Sequence, residues 1–214
     1  MSLIEVIRNF VRAVMRTLAR WLNTVTGGKL HPDAVTIVGF LMHVPIALLI
    51  ASRHHNVLAA GLLLVFGLFD TLDGELARVQ GRESNRGGLL DASTDRMKEV
   101  LLYSGAAYAF SQSAHPATAA WATAALGASV CVSYIKAKGE AIFASMPGKA
   151  LSYAKLNKVF RDGFLTFELR MVVLIIGLLA NKLVYAIAAV AVLASFTALQ
   201  RLVRVSKAVH DVQN

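Results

Sequence analysis

The sequence predicts an all-α, polytopic membrane protein: six transmembrane helices preceded by an amphipathic helix at the membrane surface. Three observations carry that reading. Of the 214 residues, 56% are apolar and only 16% charged, a balance foreign to water-soluble domains. Apolar runs of about twenty residues, the length a bilayer core requires, recur along the chain. The basic residues, which give a formal net charge of +9, gather at the ends of those runs. There they meet anionic head groups and set topology, so membrane lipids and not nucleic acid are the expected partners. The lone Cys131 excludes an internal disulfide framework.

The elements follow in order. In residues 2–24, Arg8, Arg12, Arg16 and Arg20 recur every four residues, while Ile7, Phe10, Val14, Leu18 and Trp21 fall largely on another face. That is the pattern of a helix lying in the interface; a helix packed on the domain is the alternative. The arginines also argue against a cleaved signal peptide. Spans are expected at 34–53, 56–80, 89–112, 117–141, 165–182 and 183–206, so that 34–206 is one six-helix bundle and 1–214 one domain. Pro45 is expected to bend the first span. Asn181-Lys182 leaves room only for a tight turn between the last two.

Of the 22 lysines and arginines, only Arg53 and Lys182 fall in the connections 53–55, 112–116 and 181–182. The positive-inside rule therefore places both termini, and the connections 81–88 and 142–164, on the cytoplasmic side of the cell membrane. The loop 142–164 is broken by Pro147-Gly148 and carries Lys149, Lys155, Lys158 and Arg161. A second interfacial helix is expected in it.

Four carboxylates interrupt the apolar pattern. Asp70 and Asp73 in "FDTLDGELAR" are three apart, and Asp91 and Asp95 in "GGLLDASTDRMKE" are four apart. Each pair shares a helix face, at the cytoplasmic end of adjacent spans. Unpaired charges there cost several kcal/mol each, about the size of a whole domain's stability when summed. Hard divalent cations relieve that cost: four aspartates offset two Mg²⁺ or Mn²⁺, and paired metals are a device of phosphoryl chemistry. Gly74 and Ala77, and Gly87 with Gly88, leave faces without bulk, either for a ligand or for close helix packing.

The full pattern, Asp70-x2-Asp73-Gly74-x2-Ala77-Arg78-x8-Gly87-x3-Asp91-x3-Asp95, resembles the signature of the CDP-alcohol phosphotransferases. The resemblance extends to the six spans and the leading amphipathic helix. It implies transfer of a phosphatidyl group from CDP-diacylglycerol to an acceptor alcohol, with release of CMP. It further implies that Asp70 and Asp91 bridge two metals, that Asp73 and Asp95 complete one site each, and that Asp95 is the general base. Asp33, Thr36, Gly74, Ala77, Arg78, Ser84 and Gly87, with the metal-binding Asp70 and Asp73, would line the CDP-lipid site. A homodimer is the implied assembly.

Lys136, Arg170 and Arg201 lie at the depth of the aspartates, one on each remaining span, and three cations suit a phosphate dianion. Lys138, Arg204 and Lys207 read as flanking residues that snorkel. "SYIKAKGEA" and Gln200-Arg201-Leu202 resemble the branch of the family that uses inositol 1-phosphate. Phe167 stands where that branch usually carries a second arginine, and Arg161 is the alternative to Arg170. Glycerol 3-phosphate, giving phosphatidylglycerophosphate, is the competing acceptor because it too needs a phosphate site. A metal-binding transporter or channel is the rival class, but its polar residues should line a path across the membrane, and here the outer halves of the spans are apolar. The histidines, His31, His43, His54, His55, His115 and His210, show no ligand spacing toward the aspartates, and surface or packing roles are expected.

Overall fold

Alternation of long apolar runs with short polar breaks leaves helices as the only economical way to satisfy the backbone inside a bilayer. The computed structural model describes residues 3–146 and 165–213. Among these every regular element is helical: α1 Leu3–Val25, α2 Pro32–Ser52, α3 Asn56–Gly67, α4 Phe69–Gln80, α5 Asn85–Ser111, a single 3₁₀ turn Pro116–Thr118, α6 Ala119–Ala144, α7 Phe167–Leu179 and α8 Leu183–Gln213. They form two compact units, Met1–Gly105 and Ala106–Asn214.

Among the described residues, four stretches are long and apolar enough to cross a membrane: Pro32–Ser52, Asn56–Gln80, Pro116–Ala144 and Leu183–Asp211. The other two expected spans do not meet that standard, for different reasons. The 27-residue α5 is long enough, but Asp91, Asp95, Arg96, Lys98 and Glu99 crowd its first half. The 13-residue α7 rises only about 20 Å at 1.5 Å per residue. The stretch 56–80 is also divided: the amide of Leu68 donates to the Val65 carbonyl at 3.2 Å, a tightened turn between α3 and α4. The expected interfacial helix in the 142–164 loop lies almost wholly outside the described residues.

In the first unit, α1 packs on α4. Met15 and Ala19 meet Leu72, Leu76 and Val35, with Leu18, Leu22 and Phe69 around them. Phe10, Val14 and Trp21 of the same helix stay exposed. One edge of α1 thus packs on α4, and an apolar edge stays exposed. α2 starts at Pro32, the first-turn position where the missing amide costs nothing; His31 caps it, its Nδ1 accepting from the Asp33 amide at 3.2 Å. α2 continues through Pro45 to a left-handed cap at Arg53. α5 begins with Ser84, whose Oγ accepts from the Gly87 amide at 3.0 Å, the standard hydroxyl cap.

Close approach depends on small residues. A Cβ on Gly105 of α5 would collide with the Ala47 carbonyl oxygen of α2, and one on Gly39 would stand 3.1 Å from Phe69 Cβ. In the second unit α6 packs along α8, through buried Ala122, Ala125 and Val132 on one side and Ile187, Val190 and Ala194 on the other. α7 and α8 form the expected tight hairpin: Asn181 takes φ 54°, and the Lys182 amide returns to the Gly177 carbonyl at 2.8 Å. Cys131 on α6 is exposed.

Gly105→Ala is expected to cost about 1–3 kcal/mol through overpacking against α2, read as a lower unfolding midpoint in detergent. Gly61→Ala, where no heavy atom lies within 4 Å of the new Cβ, should leave the midpoint unchanged or raise it. Equal loss in both variants would refute the packing argument.

Candidate active site

Helical spacing brings three of the four aspartates together. Carboxylate oxygens of Asp70 on α4 and of Asp91 and Asp95 on α5 lie within 4.8 Å of one another. Oxygen ligands of a Mg²⁺ at about 2.1 Å stand at most about 4.2 Å apart, so the cluster needs only slight contraction to grip one ion. Asp91 Oδ1 is buried and accepts no hydrogen bond from any described residue. A buried carboxylate oxygen left without a donor is rare, and hard oxygen donors are what a divalent cation takes. The residues therefore fit such a metal.

The fourth aspartate is held apart. Asp73 is buried, and its Oδ2 accepts a 2.5 Å hydrogen bond from the Thr36 hydroxyl of α2. Two residues expected at the nucleotide thus meet each other, and α2 is tied to α4. Asp33 and Ser84 both flank Gly87: a Cβ on Gly87 would lie 3.3 Å from Ser84 Oγ and 3.8 Å from Asp33 Oδ1. Gly74 opens onto the guanidinium of Arg78, 4.0 Å from its would-be Cβ, and Ala77 follows one turn on.

Lys98 escaped the sequence reading. Its side chain is fully buried, and its Nζ donates to Asp70 Oδ1 and stands 3.4 Å from Asp95 Oδ1. The spacing held the signal: Lys98 lies three residues after Asp95 and seven after Asp91, hence on their face. Glu75, off the face of the aspartates, is 1% exposed and joins two arginines. Arg16 Nε reaches its Oε2 at 2.9 Å, and Arg78 Nη1 its Oε1 at 2.7 Å. Arg78, expected at the phosphate, also stands 3.3 Å from Glu83. Glu99, buried, pairs with Arg96 at 3.4 Å.

Of the expected acceptor-phosphate cations, Arg170 lies on α7 and Arg201 on α8, the two helices of the hairpin. Arg170 is 1% exposed; it donates to the Leu165 carbonyl at 3.1 Å, and its guanidinium lies 5.9 Å from the Phe167 ring centroid. The aromatic ring thus packs against Arg170, where a second arginine was the family's habit. Arg201 donates to the Val132 carbonyl at 2.9 Å. Lys136 is half-exposed and turned to Glu140, 3.9 Å away. Arg161 lies outside the described residues. His54, His55, His115 and His210 are exposed, and buried His43 bonds the Gly39 carbonyl at 2.7 Å, in keeping with packing or surface roles.

An acidic cluster that fits a divalent cation, in a chain with several helices long and apolar enough to cross a membrane, defines a multi-pass membrane protein. Comparison makes the class specific: residues 29–199 match the CDP-alcohol phosphatidyltransferase family model, and the chain belongs to that family. Among its relatives is the phosphatidylinositol phosphate synthase of Corynebacterium glutamicum, 36% identical over 122 residues, 56% of this chain and 56% of that one. The match thus spans about half the length of that curated relative. The crystal structure of Mycobacterium tuberculosis phosphatidylinositol phosphate synthase with CDP-DAG bound is similar over 90% of this chain and 94% of that one, with TM-score 0.74 and 27% identity. The same enzyme in complex with manganese and citrate matches with TM-score 0.73 and 27% identity, over 90% and 88% of the two chains.

Glu75→Gln is expected to destabilise the protein by about 2 kcal/mol or more, because two charge-assisted hydrogen bonds to a buried carboxylate are weakened. Arg16→Gln, at a half-exposed partner, should cost less. Unfolding midpoints in detergent at constant pH give the comparison, and the reverse order would contradict the assignment.

Proposed function

We propose that this chain is a phospholipid synthase that transfers the phosphatidyl group of CDP-diacylglycerol to inositol 1-phosphate and releases CMP. The observation that carries the reading is the Asp70, Asp91, Asp95 cluster, set in the complete family signature. The inositol phosphate acceptor is supported by the names of its relatives; Arg170 and Arg201, two guanidinium groups that suit a phosphate dianion, fit inositol phosphate and glycerol 3-phosphate alike.

Asp70, Asp73, Asp91 and Asp95 would hold two divalent ions, Mg²⁺ or Mn²⁺, which neutralise the pyrophosphate and ease departure of CMP. The protein groups do the rest. Asp33, Thr36, Gly74, Ala77, Arg78, Ser84 and Gly87 seat the CDP moiety, with the small residues keeping its approach open. Arg170, Arg201 and Lys136 hold the acceptor phosphate and orient its hydroxyl. Asp95 takes the hydroxyl proton as the acceptor oxygen bonds to the lipid-linked phosphorus. The bond from that phosphorus to the CMP oxygen breaks, and CMP leaves with the bonding pair. Six spans, with α5 and α7 completing the bundle, and α1 in the interface set this site at the cytoplasmic face by the positive-inside rule. The chain acts as one domain and pairs as a homodimer.

CMP release by purified protein in detergent with CDP-diacylglycerol and Mg²⁺ tests the reading, each acceptor being offered separately. Release with inositol 1-phosphate, and not with free inositol or serine, is the expected result. Release only with glycerol 3-phosphate would move the chain to phosphatidylglycerophosphate synthesis. Release with none would refute the transferase assignment for these donors and acceptors.

Two substitutions probe the roles. Asp95→Asn should lower turnover by about a hundredfold or more, within the usual worth of a general base, while retaining much of the CDP-lipid affinity. Arg201→Ala should raise KM for inositol 1-phosphate far more than KM for the donor. Equal effects on both substrates would remove Arg201 from the acceptor site.

A further inference from the structure

Lys98 is a full charge in a place where charge is expensive. Its side chain is 0% exposed. It rises from α5 one turn beyond Asp95 and crosses to Asp70 of α4, so that its ammonium sits between two of the three carboxylates in the acidic cluster. The third, Asp91, keeps a buried oxygen with no donor among the described residues. An ammonium and a divalent cation seek the same oxygen lone pairs. Both cannot sit at full strength between Asp70 and Asp95, because like charges at that separation repel.

We propose that Lys98 is a tethered counter-cation that competes with the divalent metal for Asp70 and Asp95. The inference rests on the reading of the aspartates as a metal site. Without metal, the ammonium bridges α4 and α5 and prevents the carboxylates from driving them apart. When metal enters, it must displace the ammonium from Asp70 Oδ1, so loading is an exchange of one cation for another. Asp91, whose buried Oδ1 accepts no hydrogen bond from the described residues, is the natural first contact for the arriving ion. Lys98 is in this sense a positioning residue: it presets the cluster and lowers its affinity for metal.

The competing account makes Lys98 a strut that supports the site. The two accounts predict opposite signs. Loss of a strut weakens metal binding; loss of a competitor tightens it.

The test is an Mn²⁺ titration of chelator-treated protein in detergent, followed by the electron paramagnetic resonance signal of free Mn²⁺, with unfolding midpoints recorded alongside. Lys98→Met should bind Mn²⁺ at least about tenfold more tightly than the parent, since cation–cation repulsion at about 4 Å exceeds one decade of affinity even at an effective dielectric constant of about 20. Its metal-free midpoint should fall and recover on Mn²⁺ addition. Lys98→Arg, which keeps the charge, should show no such tightening. If Lys98→Met does not fold, Lys98→Gln, neutral but polar, takes its place in the same titration. Affinity in the neutral variant equal to or weaker than the parent's, with the parent binding Mn²⁺, overturns the competition and leaves the metal site standing. A parent that binds no Mn²⁺ overturns both.

Discussion

Burial of carboxylates beneath an apolar shell is the constraint on which the first unit depends. Each acid in that region must meet a cation, a hydroxyl or a metal, because an unpaired charge in low dielectric costs several kcal/mol. The unit is built around these obligations. Asp73 takes the Thr36 hydroxyl, Glu75 takes Arg16 and Arg78, and Asp70 and Asp95 take Lys98. Each of these pairings also joins two helices or fixes a neighbour on one. Electrostatic satisfaction and helix placement are here the same set of contacts, and among the described carboxylates of the cluster Asp91 keeps a buried oxygen, Oδ1, without a donor.

Small residues make those contacts reachable. Gly105 lets α5 approach the backbone of α2, and Gly39 lets α2 approach Phe69 at the head of α4. α4 carries two of the aspartates, so the packing of α2 reaches the site through the same face that supplies Thr36. In a membrane, where apolar contact with lipid competes with apolar contact between helices, such close backbone approach is a principal source of association. In the second unit, alanines at the α6–α8 seam serve the same end, and Arg170 and Arg201 lie one on each helix of a tight hairpin.

Much of this was legible from residue spacing. Helical identity, the tight turn at Asn181, the acidic pattern and the amphipathic character of α1 all follow from periodicities of three and four. Span count was less legible, because hydropathy averages over a window and does not see that α7 stops after Leu179 or that charges fill the first half of α5. Charge pairing was the least legible. Arg16 and Glu75 are 59 residues apart in sequence, and no local pattern links them. Lys98 was within reach, since it shares the face of Asp91 and Asp95. Phe167 read as a lost arginine; against the Arg170 guanidinium it is a contact that position can still make.

The salt bridge from Arg16 to Glu75 has a consequence for biosynthesis. The guanidinium is translated 59 residues ahead of its carboxylate, and α2 and α3 must both be made in between. For that interval α1 has no intramolecular partner for Arg16 and no α4 on which to seat Met15 and Ala19. Final docking of the N-terminal helix is therefore a late event in assembly, set by the emergence of α4. A ribosome stalled before Glu75 would hold a chain whose first helix is formed but not locked.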